Sequence, residues 1–141
     1  LNIIAGVFPP EMGGKVIING EDVTDLSEYK HATYVGRVWQ EPHVGTAGKL
    51  TIEENLSLAL LRGRPRGLRP SLNKQHRELF RSALAPLGLG LEDRLNTLVG
   101  TLSGGQRQAL ALVMATISKP VLLLLDEHIA TLDPRTAQIV L

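Results

Sequence analysis

Two short stretches carry residue types that can handle a phosphate group. In Leu102-Ser103-Gly104-Gly105-Gln106, a serine and two glycines stand where a loop enters a helical pattern. Serine is a good N-cap, glycine lets a ligand approach the backbone, and the free amides of a helix start carry partial positive charge. Gln106 adds a neutral hydrogen-bonding side chain. The set makes a corner for a phosphate-sized anion, and it equally suits an ordinary Ser-capped helix after a glycine turn. In Val121-Leu122-Leu123-Leu124-Leu125-Asp126-Glu127, five apolar residues end in two adjacent carboxylates. Open α/β sheets bind their ligands just past the carboxyl ends of such strands. One carboxylate can hold Mg²⁺ while its neighbour, facing another way, orients or deprotonates an attacking water. An acidic turn closing a strand is the plainer alternative.

These groups need a frame, and the patterning supplies one. Leu1 to Ala5 run into Gly6 like the tail of a helix. Gly14 to Ile18 reads as a β-branched strand closed by an Asn19-Gly20 turn. A short helix is expected around Leu26 to His31, and a second strand over Tyr34 to Trp39, ended by Gln40-Glu41-Pro42. Residues 43–49 read as a loop. Thr51-Ile52-Glu53-Glu54 fits a capping box at the head of a helix. Residues 62–70 form a Gly/Pro/Arg linker. A helix over Asn73 to Leu87 presents Leu79, Phe80 and Leu84 on its apolar side and is broken by Gly88 and Gly90. Leu91 to Leu95 suggests another short helical turn. A long helix runs from Ser103 to Ile117 and stops at Pro120. Val121 to Leu125, apolar throughout, is expected to be a central parallel strand covered on both faces. This order fits an α/β nucleotide-binding domain interrupted by a helical insertion.

Composition narrows the classes. The 141 residues suffice for one domain, 43% of them are apolar, and the formal charge is +1. The charge balance gives no reason to expect nucleic acid as partner, and no aromatic platform exists for stacking bases. Cysteine is absent, which excludes disulfides and Cys-based zinc sites. Seven basic residues (Arg62, Arg64, Arg66, Arg69, Lys74, Arg77, Arg81) fall close together with only Glu78 among them. Both a face for anionic lipid and a solvated linker fit that cluster. Trp39 reads as a packing residue.

Taken in order, the strand ending at Gln40, the Thr51 to Leu56 helix start, the Leu102 to Gln106 turn, the strand ending in Asp126-Glu127 and Ala130-Thr131-Leu132-Asp133 resemble the nucleotide-binding subunit of ATP-binding cassette (ABC) transporters. The resemblance implies a P-loop NTPase-like α/β fold incomplete at both ends. Residues 1–45 and 119–141 would be parts of the α/β core, and 46–118 a helical subdomain carrying the signature turn. It also implies roles. Gln40 would reach Mg²⁺ and the attacking water, Asp126 would position Mg²⁺, and Glu127 would be the general base. Ser103, Gly104, Gly105 and Gln106 would grip the γ-phosphate of an ATP held mainly by a second subunit. Asp133 would touch that subunit across the dimer. The implied partners are a second copy, transmembrane permease subunits and a substrate-binding protein, on the cytoplasmic side of the membrane.

A phosphate loop of the form G-x-x-x-x-G-K-[ST] is missing from the chain. Gly13-Gly14-Lys15 is followed by Val16 with Pro9 in the first-glycine place, and Gly48-Lys49 by Leu50 with His43 there. Both are decoys. The true loop is expected before Leu1 and the family's switch histidine beyond Leu141, because His128 directly follows Glu127. The chain alone is therefore expected to be inactive. Val99-Gly100 ahead of the signature favours the importer-type helical subdomain. A cytosolic ABC ATPase outside transport and a catalytically silent interaction module are the alternatives; residues 41–101 lack the sustained heptads of the former's coiled-coil insertions.

Overall fold

The computed structural model describes residues 1–64 and 72–125. Residues 1–7 make one helical turn that ends as the sequence suggests. Gly6 has φ +75°, its amide donates to Ile3 O at 3.1 Å, and the Val7 amide donates to Asn2 O at 2.9 Å. This paired closure satisfies carbonyls left free at a helix end. A hairpin follows, β1 (Ile17–Ile18) and β2 (Glu21–Asp22), antiparallel with Ile18 opposite Glu21. Asn19 and Gly20 both take positive φ, 51° and 82°, the backbone that a two-residue hairpin turn demands. The strand pair is shorter than the predicted Gly14 to Ile18, although Val23 N still donates to Val16 O at 2.9 Å beyond it.

Next come α1 (Glu28–His31) and β3 (Val35–Val38). Beyond the 43–50 loop lie α2 (Ile52–Leu60) and α3 (Lys74–Leu84), the latter continued by a tight 3-10 turn, Ala85–Leu87. A second such turn, Val99–Thr101, precedes α4 (Gly104–Thr116), and β4 (Leu122–Leu125) follows it. β3 and β4 are parallel neighbours, in register from Val35 opposite Leu122 to Val38 opposite Leu125. Their carboxyl ends thus emerge side by side.

The main core joins α2, α3 and α4. Ile52, Leu56, Phe80, Leu84, Leu91, Val99 and Leu110 are all fully buried in it, each contributing about 1.5–3 kcal/mol of burial. A smaller cluster places Val38 of β3 against Leu112 and Ala115 of α4, with Leu123 and Leu125 of β4 alongside. Close approach here depends on Gly36. A Cβ at that position would overlap the Ala115 carbonyl oxygen and press on Pro120 and Leu123.

Three details depart from the sequence reading. Leu79 is exposed, so α3 buries only Phe80 and Leu84. Leu91 to Leu95 forms turns instead of helix, held by Arg94 N to Leu91 O at 3.1 Å, while its two leucines still reach the core. β4 is less covered than expected, with Leu124 buried and Leu122, Leu123 and Leu125 partly exposed; among the described residues β3 is its one strand neighbour. The basic cluster is also not uniformly free. Arg77 pairs through two nitrogens with the buried Glu53 carboxylate, at 2.7 and 3.0 Å, which holds its guanidinium even more firmly protonated than usual. Arg62 is partly buried, and that burial lowers its pKa. Arg66 and Arg69 lie outside the described residues.

Candidate functional site

The signature turn opens α4. Ser103 has extended backbone, and its Oγ accepts from the Gln106 amide at 3.3 Å. Gln106 returns the contact, its Oε1 accepting from Ser103 N at 3.2 Å. The pair forms a reciprocal capping box that the sequence analysis did not anticipate, although Ser-x-x-Gln is a recognised form of the pattern. Between them, Gly104 and Gly105 are exposed and, among the described residues, their amides donate to nothing. A Cβ built on either glycine meets no atom within 4 Å. Among the described residues, then, neither glycine is needed for packing or for an unusual φ. Each costs helix stability relative to alanine.

The start of α2 shows what a fully occupied helix N-terminus looks like. The Ile52 and Glu53 amides donate to Thr97 O and Leu95 O, both at 3.0 Å, and the Glu54 amide to Thr51 Oγ1 at 3.3 Å. The Glu54 carboxylate accepts from Thr51 N and Oγ1, at 2.7 and 2.8 Å, which holds its carboxyl below the ordinary glutamate range. No donor is left for a ligand there. At α4 two donors remain, at the positive end of a helix of 13 residues.

Gln40 lies on an exposed bend two residues past the end of β3. Beside it, the Arg37 guanidinium stacks over the Trp39 ring at 3.7 Å, so Trp39 packs as expected, though at a partly exposed edge. Asp126, Glu127 and Asp133 lie outside the described residues, as do His128, Ile129 and Thr131; Asp126 directly follows Leu125, which ends β4 opposite Val38. No hydrogen bond joins Gln40 to the Ser103 turn. Leu112, which packs against Val38, stands nine residues along α4 from Ser103, about 13 Å at 1.5 Å per residue. The two predicted half-sites are therefore carried by different parts of the fold. The decoy Gly13-Gly14-Lys15 is an exposed turn whose lysine faces Asp22 at 3.9 Å.

Two polar residues missed by the sequence reading frame the turn. Asn55, almost wholly buried, binds both backbone groups of Ala47: Ala47 N donates to Oδ1 at 2.8 Å and Nδ2 donates to Ala47 O at 3.0 Å. An asparagine among the core-facing positions Ile52, Leu56 and Ala59 was the available signal. Arg107 donates to Val99 O from Nε and Nη2, at 3.3 and 2.9 Å, and no pattern marked it.

A sequence-family profile described as "ABC transporter" matches residues 1–130. The tyrosine transport ATP-binding protein of Clostridioides difficile (strain R20291) is 42% identical over 137 residues, covering 97% of this chain and 54% of that protein. The thiamine import ATP-binding protein of Brucella suis is 40% identical over 135 residues, 95% of this chain and 50% of that protein. The chain spans about half the length of these relatives. Among solved structures, the dimeric post-hydrolysis state of the ATP-binding cassette MJ0796, bound to ADP and Pi, superposes with a TM-score of 0.74 at 27% identity. It covers 99% of this chain and 59% of that one.

Proposed function

The chain belongs to the ABC transporter family and has its ABC ATPase fold, and from that premise we propose that it is part of an importer-type motor subunit that hydrolyses ATP between two copies. The observation that carries this reading is the pair of exposed amides at Gly104 and Gly105, unengaged among the described residues, with two glycines that no described residue requires. A terminal phosphate of ATP fits there. It meets two free donors, the positive helix end and the Ser103 and Gln106 side chains, in space that a Cβ would narrow.

In this reading Ser103, Gly104, Gly105 and Gln106 of one copy bind the γ-phosphate of ATP seated on the other. Gln40 and Asp126 are the residues that would hold Mg²⁺, which when bound neutralises charge on the phosphates. The β3 and β4 register supports their proximity, since both follow paired strand ends. Glu127 takes the proton of the attacking water as that water's oxygen bonds to the γ-phosphorus and the bond to the β,γ-bridging oxygen breaks. Asp133 contacts the second copy. In the same reading residues 1–45 and 119–141 belong to the α/β core and 46–118 to the helical subdomain.

Permease subunits are the membrane partner, with a substrate-binding protein outside, and the subunit sits peripherally on the cytoplasmic side. Similarity to import proteins favours import, among them the thiamine import ATP-binding protein of Brucella suis. No helix among the described residues is long and apolar enough to cross a membrane. An open groove of about 330 Å³ beside the Gln40 loop, edged by the exposed Val44 and Leu58, suits an apolar cytoplasmic segment of the permease.

The test compares magnesium-dependent ATP hydrolysis by the longer subunit carrying this chain, its Glu127→Gln variant and the 141-residue chain alone. The proposal expects turnover in the first and loss of at least 100-fold in the second. The third should show none, because no phosphate loop lies within it. An inactive longer subunit, or a fully active 141-residue chain, overturns the reading.

A further inference from the structure

We infer that Asn55 and Arg107 are positioning residues that together fix the Ser103 turn through the intervening 47–50 loop. The inference rests on the proposed role of that turn in gripping ATP. Its physical basis is a continuous run of backbone contacts. Asn55 grips Ala47 from α2 by the two bonds above and donates a third to Thr51 O at 2.9 Å. Being 1% exposed, it has no water to substitute for lost partners. The loop it fixes then receives the segment ahead of the signature: Gly100 N donates to Gly48 O at 2.8 Å and Val99 N to Leu50 O at 3.0 Å. Thr51 and Leu98 complete the contact as an antiparallel bridge.

Arg107 closes the assembly from the other side. It sits in the first turn of α4, four residues after Ser103, and reaches back to the Val99 carbonyl, which also accepts from Leu102 N at 3.2 Å. The crossing is tight, and Gly100 leaves no room for a side chain. A Cβ on Gly100 would lie 2.9 Å from Gly48 O, and one on Gly48 would lie 3.3 Å from the Arg107 guanidinium. Only Thr101 and Leu102 separate Gly100 from Ser103, so the 98–100 segment sets where the free amides of Gly104 and Gly105 point.

The upstream side of the loop is tied as well. Val44 N donates to Glu41 O at 3.0 Å and Thr46 Oγ1 to Pro42 O at 2.8 Å. A path of hydrogen bonds thus runs from the Glu41 to Thr46 turn, through Ala47 and the Gly48 and Leu50 carbonyls, to Val99 and Gly100. Neither Asn55 nor Arg107 needs to touch nucleotide for this role.

The test uses the longer subunit with Arg107→Gln, Arg107→Lys and Asn55→Asp, the last keeping the acceptor to Ala47 N while losing the donors. Amide exchange reads the clamp directly, and kcat against the ATP affinity of the separated subunit reads its consequence. For Arg107→Gln, exchange at Val99 and Gly100 should speed at least tenfold and kcat should fall about tenfold. ATP affinity should stay within twofold, because the turn serves ATP seated on the other copy. Arg107→Lys should recover most of both losses, and Asn55→Asp, which leaves the Ala47 amide its acceptor, should speed exchange at Val99 and Gly100, whose acceptors lie on the 47–50 loop that loses the Nδ2 donor. Unchanged exchange in Arg107→Gln and Asn55→Asp, or a kcat loss matched by equal loss of ATP affinity and melting temperature, overturns the inference. If the unmodified subunit hydrolyses no ATP, the proposed function fails, and the exchange measurements still decide the clamp.

Discussion

Replacing Gly105 by alanine should make the chain more stable and its nucleotide-dependent pairing worse. Gly105 is the second residue of α4, its φ lies outside the left-handed region, and an added Cβ meets nothing within 4 Å. Alanine in a helix interior is worth about 0.8–1.0 kcal/mol over glycine, and roughly half of that is expected in the first turn. With about 2.1 cal/mol/K of unfolding entropy per residue, a gain of about 0.5 kcal/mol raises the melting temperature of 141 residues by about 2 °C. In the proposed paired state the same methyl would enter the space where phosphate and the facing copy come close. Overpacking of that kind costs about 1–3 kcal/mol, or roughly five- to 140-fold in the association constant expected with ATP. Calorimetric melting of the chain and sedimentation of the longer subunit with ATP measure the two halves. A destabilised Gly105→Ala chain would mean the glycine serves the fold. A stabilised chain whose subunit pairs normally would mean that nothing approaches the turn.

Gly36→Ala is the contrasting case: the new methyl overlaps the Ala115 carbonyl oxygen and Pro120, so denaturant titration should show a loss of about 1–3 kcal/mol. Phe80→Ala, at a fully buried site of the main core, should cost about 3–5 kcal/mol in the same assay. The Glu54 carboxyl, followed by NMR, should titrate below the ordinary glutamate value of 4.5 because it accepts two bonds from Thr51. Since the folded pKa is the depressed one, this cap stabilises α2 at neutral pH and loses its contribution as pH falls through the folded value. A midpoint at or above 4.5 contradicts the capping box, and Glu54→Gln should remove that part of the acid sensitivity.

What the sequence made legible was local. Asn19-Gly20, Thr51-x-x-Glu54, Ser103 before Gly104-Gly105 and Pro120 each act through their own backbone, and each stands where its chemistry required. The family motifs were legible for the same reason: they are short and ordered. Long-range contacts left weaker traces. Leu79 looks as apolar as Phe80, and only packing against α2 and α4 decides which of them is buried. Leu91 and Leu95 reach the core from turns, which periodicity cannot distinguish from a helix. Arg77 looked like part of a basic face until its partner, Glu53, 24 residues earlier, came into view. Arg107 carries no sequence signal because its acceptor is a main-chain carbonyl, an atom every residue has.

The claim on which the rest depends is that the Ser103 turn grips a nucleotide seated on the other copy. The longer subunit carrying Glu127→Gln, expected to bind ATP without consuming it, should double in sedimenting mass when ATP is added. Adding Ser103→Arg, which fills the turn with a long side chain, should leave each subunit's ATP affinity within about threefold and keep its mass single. If that variant still doubles in mass, or if it loses ATP affinity to the same degree as association, the turn does not act across the pair and the account is wrong.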